Sequence, residues 1–306
     1  MKTTVRTAQD SDRQPILQFC TDTFSWGDYI DVAWDIWMKD RKGRLFIADS
    51  QSSGSIAVGH AALCPYKESV WVEGVRVRQD HRKLGVASAL IDAMLEFGRK
   101  RGASEALGIV ASKNFASQRM MEKCGFQAVS DWAYLATDRQ IARKKSEARL
   151  ATVQDLDDVL NYLSASQLFR ASGGRYMDTW RWYQLDKRAL RSFVDRKRLL
   201  VTGRPITGMA VLNTEGYWDR KDLLQVVYLD SSSSESLAEL LTFATNLYML
   251  GGFRRLHVIC HQSLAAAVRQ FEMTESESFV LYRKKIESDA EQDRPSAKRS
   301  RSRPER

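Results

Sequence analysis

The apolar positions of the chain switch between two periods. Residues 45–48, 55–63 and 70–77 carry the short alternating runs of strands, and Gly54 in a serine-rich turn makes the first two a hairpin. Residues 86–101 instead place Val86, Ala87, Leu90, Ile91, Met94, Leu95 and Phe97 on one broad helical face, with Gly102 positioned to end it. Residues 107–111 read as a further strand, and 116–124 as a helix closed by Gly125 and Phe126.

The chain then starts again. Arg6-Thr7-Ala8, Asp12, Ile16-Leu17 and Phe19 return 143 residues later as Arg149-Leu150-Ala151, Asp155, Val159-Leu160 and Tyr162. Both stretches read as a short strand, a polar turn and a helix. An offset of one domain length points to duplication. The expected organisation is a first domain at 1–136, a polar linker at 137–148, a second domain at 149–286 and a basic, disordered tail at 287–306, which has no large apolar residue.

Composition adds limits. With 306 residues and 43% apolar content, two globular domains are affordable. No apolar run approaches the ~18 residues of a membrane span, and the N-terminus lacks the apolar stretch of a secretory signal. Cys20, Cys64, Cys124 and Cys260 are far apart, which fits a reducing cytoplasm rather than a disulfide framework or a zinc site. His257 and His261 lie on an expected strand with no carboxylate between them, so no metal is expected there. The net charge of +9 suits an anionic partner or a solvated surface, and no nucleic-acid-binding motif accompanies it.

The segment with the most chemical content runs Trp71-Val72-Glu73-Gly74-Val75-Arg76-Val77, then Arg82-Lys83-Leu84-Gly85-Val86-Ala87. A strand, a loop and a helix start follow one another. R-x-x-G-x-A sets small residues where backbone must approach a ligand, and the free amides of a helix N-terminus favour phosphate. The motif alone is weak, with about 0.2 chance matches expected in a chain of this length. A second element, Asn114-Phe115-Ala116-Ser117 with Met121 and Cys124-Gly125-Phe126, strengthens it.

With these elements in place, residues 3–130 resemble the GNAT acetyltransferase superfamily. The resemblance implies an α+β fold of two tandem domains, each a mixed, mostly antiparallel, splayed sheet flanked by helices. It implies acetyl-CoA as cosubstrate, a basic chain suiting the coenzyme's phosphates. The pyrophosphate would sit on the amides of Arg82, Lys83, Leu84, Gly85, Val86 and Ala87. The pantetheine arm would lie along Val75 and Val77, with Asn114 and Ser117 beside it. Residues 223–229 look like the matching strand of the second half, but the acidic, glycine-free Asp230-Ser231-Ser232-Ser233-Ser234-Glu235 follows. The second half is therefore expected to bind no coenzyme and to help shape the acceptor site. Phe24, Gly27-Asp28-Tyr29-Ile30, Trp37 and residues 72–77 also resemble the histidine N-acetyltransferase-like group, which pairs an active with a degenerate half.

The resemblance implies direct attack of a primary amine on the thioester. Glu73 is the candidate base and the Val75 amide the oxyanion donor. Where many members carry a proton-donating tyrosine, this chain has Met121, which leaves water or Tyr134 to protonate the thiolate. A thiol pKa near ~8.5 also permits unaided departure. Trp26, Asp28 and Tyr29 are candidate acceptor contacts; Trp34 and Trp37 share their region at core-like helical spacing. The leading reading is a cytoplasmic enzyme acetylating a small amine or amino acid. The alternatives are an acetyl-CoA sensor without turnover, a protein N-terminal or lysine acetyltransferase, and a nucleic-acid-associated acetyltransferase or adaptor.

Overall fold

A computed structural model of the chain describes residues 3–21, 23, 27–64, 68–139, 144–218 and 220–287. In order, its elements are β1 (Thr3–Thr7), α1 (Arg13–Cys20), α2 (Ile30–Met38), β2 (Gly43–Ser50), β3 (Gly54–Leu63), β4 (Ser69–Val77), α3 (Val86–Arg99), β5 (Glu105–Ala111), α4 (Phe115–Lys123) and β6 (Gln127–Thr137). The second half adds β7 (Arg149–Leu150), α5 (Leu156–Ala165), α6 (Gln167–Ala171), β8 (Arg175–Asp178), β9 (Arg181–Gln184), α7 (Lys187–Asp195), β10 (Leu199–Thr202), β11 (Gly208–Asn213), β12 (Leu223–Ser231), α8 (Ser234–Leu250), β13 (Arg255–His261), α9 (Ala265–Arg269) and β14 (Thr274–Lys285). The strands and helices read from periodicity all form, within a few residues of the expected bounds. The tail beyond Glu287 and residues 140–143 of the linker lie outside the described residues.

The fold is α+β. Among the described residues one sheet runs β1-β2-β3-β4-β5-β14-β6-β13-β12-β11-β10-β7, mostly antiparallel. Its two parallel pairs are β4 with β5 and β12 with β13. The order is symmetric about the β14–β6 pair. β14, the last strand of the chain, lies between β5 and β6 of the first half, and β6 lies between β14 and β13. Each half thus contributes a strand to the other's sheet.

The internal repeat has a matching physical device. Arg6 forks onto Asp12 through two bonds of 2.7 Å, and Arg149 onto Asp155 through bonds of 2.7 and 2.6 Å. Each aspartate also accepts the amide three residues before it, from Gln9 and Thr152. The strand-to-helix corner is fixed the same way in both halves, because a planar guanidinium suits two carboxylate oxygens at once.

The β8–β9 hairpin belongs to the second half but packs at the junction. Trp182 is fully buried, its ring stacked 5.9 Å from Trp71 of β4 and edge-on at 5.4 Å to Trp132 of β6. Arg175 at one end of the hairpin bonds Glu105 at 2.6 Å, and Arg181 at the other bonds Glu73 at 2.6 Å.

Candidate active site

The first half opens a wedge in its own sheet. β4 and β5 pair only at Ser69–Glu105, Val70–Ala106 and Trp71–Leu107, and no β4–β5 pairing continues past Trp71. β4 also carries an irregularity opposite Gly59, where Gly74 takes φ +67°. A Cβ at Gly74 would lie 2.3 Å from the Trp37 ring, so both the backbone angle and the packing exclude a side chain there.

At the wide end of the wedge, eight residues, 78–85, join β4 to α3. Arg82 folds back, its Nε donating to the Val77 carbonyl at 3.1 Å. Lys83 and Gly85 adopt positive φ, 64° and 82°, and a Cβ at Gly85 would meet nothing within 4 Å. Gly85 is the N-cap of α3 and brings no capping side chain. Ala89 donates to the Gly85 carbonyl; among the described residues the amides of Lys83 to Ser88 have no acceptor. Leu84 is exposed, whereas the Val86 side chain is buried in the core below the loop. The loop is an uncapped helix N-terminus that presents amides and a positive dipole end to an anion.

The corresponding place in the second half is built differently. Only Ser232 and Ser233 separate β12 from α8. Ser233 caps that helix by accepting from the Ser236 amide, and Glu235 stands in its first turn. Asp230, fully buried, accepts from Tyr162 at 2.8 Å, Ser166 at 2.7 Å and Tyr228 at 2.9 Å. A two-residue connection leaves no loop to wrap a phosphate, and a buried carboxylate repels one.

Glu73 sits where β4 begins to diverge. Its Oε1 faces His60 Nδ1 at 2.9 Å and accepts from Arg181 Nη2 at 2.6 Å; its Oε2 accepts from Trp71 Nε1 at 3.0 Å. Burial pushes the Glu73 carboxyl up, but the Arg181 charge and the bonds from His60 and Arg181 outweigh it and hold it at about 2. So placed, Glu73 is a weak base, which counts against the catalytic role read from its position. His60 itself is fully buried and stacked on Trp37 at 4.9 Å, and burial holds its imidazole neutral. Sequence reasoning missed His60 and Arg181. Glu73 and His60 stand opposite each other across β3 and β4, a signal that requires the register.

The other candidates divide. Asp28 is engaged by Arg76 through bonds of 2.7 and 3.0 Å and is almost fully buried, so it is not a free anchor for a cationic acceptor. Tyr29 is half-buried, edge-on to Trp37 at 6.0 Å and tilted over Trp218 of the second half at 5.6 Å. Trp34 and Trp37 are buried in the core. Trp26 and Phe24 lie outside the described residues. Val75 and Val77 are half-buried along the open stretch of β4. Asn114 caps α4, its Oδ1 accepting from the Ser117 amide at 3.1 Å. Met121 is buried in the core against α3. Tyr134 lies with its hydroxyl 3.0 Å from His257 Nε2, and burial pushes its phenol up to about 12.

A parallel strand pair that splays ahead of an uncapped helix N-terminus defines the class: an acetyltransferase fold of the GNAT type. Residues 12–126 match the model of the acetyltransferase (GNAT) family. Solved structures extend the fold likeness over nearly the whole chain. A GCN5-related N-acetyltransferase from Sphaerobacter thermophilus is 16% identical with a TM-score of 0.62, covering 93% of this chain and 96% of its own. A candidate acetyltransferase from Thermoplasma acidophilum is 15% identical with a TM-score of 0.57, covering 92% and 99%. The glucosamine N-acetyltransferase region of a fungal multi-domain β-N-acetylglucosaminidase is 13% identical with a TM-score of 0.62, covering 92% of this chain and 38% of that one. At these identities the likeness is one of fold. No curated protein matches the chain in sequence.

Proposed function

We propose that the protein transfers an acetyl group from acetyl-CoA to a primary amine of a small molecule or amino acid by direct attack. The observation that carries this reading is the run of unpaired amides from Lys83 to Ser88 at the end of a strand that has left its partner. The pyrophosphate would take those amides. The pantetheine arm would complete β4 along Val75 and Val77 as an added strand, with Asn114 and Ser117 on the far side of the wedge. The Val75 amide, next to the Gly74 irregularity, would receive the oxyanion.

In this reading Glu73 is a positioning group. Its carboxylate is ionised across the working pH range but paired with Arg181, so it fixes the polar end of the site and leaves proton removal to water. No residue is assigned to protonate the thiolate; water serves, or the thiolate departs unaided. The second half binds no coenzyme and supplies Arg181 and Trp218 to the acceptor side. No helix among the described residues is long and apolar enough to cross a membrane.

The test is thiol release from acetyl-CoA against a panel of amines and amino acids, beside Gly85→Glu. Turnover that the variant loses supports the reading, and absence of acetyl-CoA binding to the wild type sinks it. A second reading, acetyl-CoA binding without turnover, is favoured by the three donors fixed on Glu73 and by Met121 in the core. Tight binding with no thiol from any acceptor would move that reading ahead.

A further inference from the structure

Aromatic rings drawn from both halves form one connected line beginning at Tyr29, beside the Trp37 ring that packs against the Gly74 irregularity. Tyr29 lies 5.6 Å from Trp218, Trp218 5.8 Å from Tyr217, Tyr217 6.2 Å from Trp180, and Trp180 5.4 Å from Tyr134 and 5.6 Å from Phe279. All six rings are half-buried, unlike Trp34, Trp37, Trp71, Trp132 and Trp182, which are sealed in the cores. Core packing alone does not call for a continuous line of large rings left partly open to solvent.

Two of these rings sit at positive φ in tight turns. Trp180 has φ +63°, following Thr179 at +53°, and Trp218 has φ +50°. Thr179 and Trp180 are the two loop residues of the β8–β9 hairpin, and Trp218 follows Tyr217, which pairs with Arg220; tight hairpin turns call for positive φ, so the turns fix where these two rings stand. The residue after Trp180 is Arg181, which reaches Glu73. The turn that positions the Trp180 ring therefore also closes the polar end of the trough.

Charge narrows the occupant. The carboxylates at the Tyr29–Glu73 end are already held: Asp28 by Arg76, and Glu73 by Arg181 at 2.6 Å with Asp40 4.0 Å from the same guanidinium. A polycation needs several free carboxylates, and among the described residues Asp28 and Glu73 are both engaged by arginines. The rings meet mostly edge-on, and the parts left open to solvent suit one ammonium by cation–π attraction and a flat body by stacking.

Resting on the acetyltransferase reading above, we propose that the acceptor is a primary amine carried on an aromatic ring, held in this two-domain trough with Trp218 and Trp180 as specificity-determining residues. The amine's nitrogen forms the new bond to the acetyl carbon, the carbon–sulfur bond breaks, coenzyme A leaves as thiolate, and the amine's surplus proton passes to water.

The test uses the full chain and two readouts. Calorimetry measures binding of 2-phenylethylamine, phenylalanine and 1,4-diaminobutane; thiol release measures turnover with each. The expected result is binding and turnover of the aromatic amines in preference to the diamine, and phenylalanine against 2-phenylethylamine tells whether a carboxylate is tolerated. Trp218→Ala should weaken aromatic binding about tenfold, and Trp218→Phe should restore most of it. Gly85→Glu should lose coenzyme binding and keep amine binding. The proposal is overturned if the diamine is bound or acetylated as well as the aromatic amines, or if Trp218→Ala changes nothing. A wild type that binds the aromatic amine but not acetyl-CoA would instead fail the coenzyme reading and leave the trough standing.

Discussion

Arg181, on a hairpin of the second half, places its Nη2 2.6 Å from Oε1 of Glu73 in the first half, and both side chains are largely buried. The pair joins the halves at the point where β4 leaves β5. Removing the cation strands a carboxylate that burial disfavours, so Arg181→Ala should cost about 3–5 kcal/mol in urea unfolding at pH 7. Adding Glu73→Gln to that variant should recover part of the loss. A single variant as stable as the wild type would show that the pair contributes nothing.

The same pair gives stability a pH dependence of defined sign. Glu73 titrates at about 2 in the folded chain, against an ordinary 4.5. A carboxyl whose pKa is depressed by folding stabilises fully above its ordinary value, and that contribution fades as pH falls from about 4.5 toward 2. Its size is on the order of 3 kcal/mol. Unfolding midpoints at pH 6 and pH 3 should therefore converge more in the Glu73→Gln variant than in the wild type. Equal slopes in both would contradict the assigned shift.

Two glycines of the site should respond differently to alanine. At Gly85 only the positive φ is at issue, because a Cβ would meet nothing within 4 Å. Gly85→Ala should cost about 1 kcal/mol. At Gly74 the same backbone penalty is joined by a Cβ 2.3 Å from the Trp37 ring, so Gly74→Ala should cost about 3 kcal/mol and lower acetyl transfer as the strand irregularity shifts. Thermal unfolding of both variants checks the ranking; similar losses would refute it.

How much of this was legible in the chain follows from what local sequence encodes. The strand at 70–77, the helix from Val86 and the glycine-bearing loop between them are set by neighbouring residues, and period and glycine placement located them. Asp28 read as an acceptor contact because its partner, Arg76, stands 48 residues away and is brought close only by tertiary folding. Glu73 read as a base for the same reason: His60 and Arg181, which hold its charge, come from a neighbouring strand and from the other half. The short, acidic connection after β12 was visible in Asp230 and the serine run. The route of its last strand was not, since β14 has an ordinary amphipathic pattern that fits either sheet.

That strand carries the last prediction. β14 pairs with β5 on one side, from Phe279–Ala111 to Lys285–Glu105, and with β6 on the other. β6 in turn pairs with β13. A chain ending at residue 273 would leave β5 without a neighbour on that side and separate it from β6, exposing backbone groups and the apolar faces of Leu281 and Tyr282's partners in both cores. A chain ending at residue 287 keeps every described strand. The shorter chain should be insoluble or lack a cooperative transition, the longer should unfold like the full protein, and fluorescence and circular dichroism should report one coincident transition for the whole molecule. Independent, well-separated unfolding of two halves, or a stable fragment of residues 1–136, would show that the exchanged strands do not bind the two into one cooperative unit.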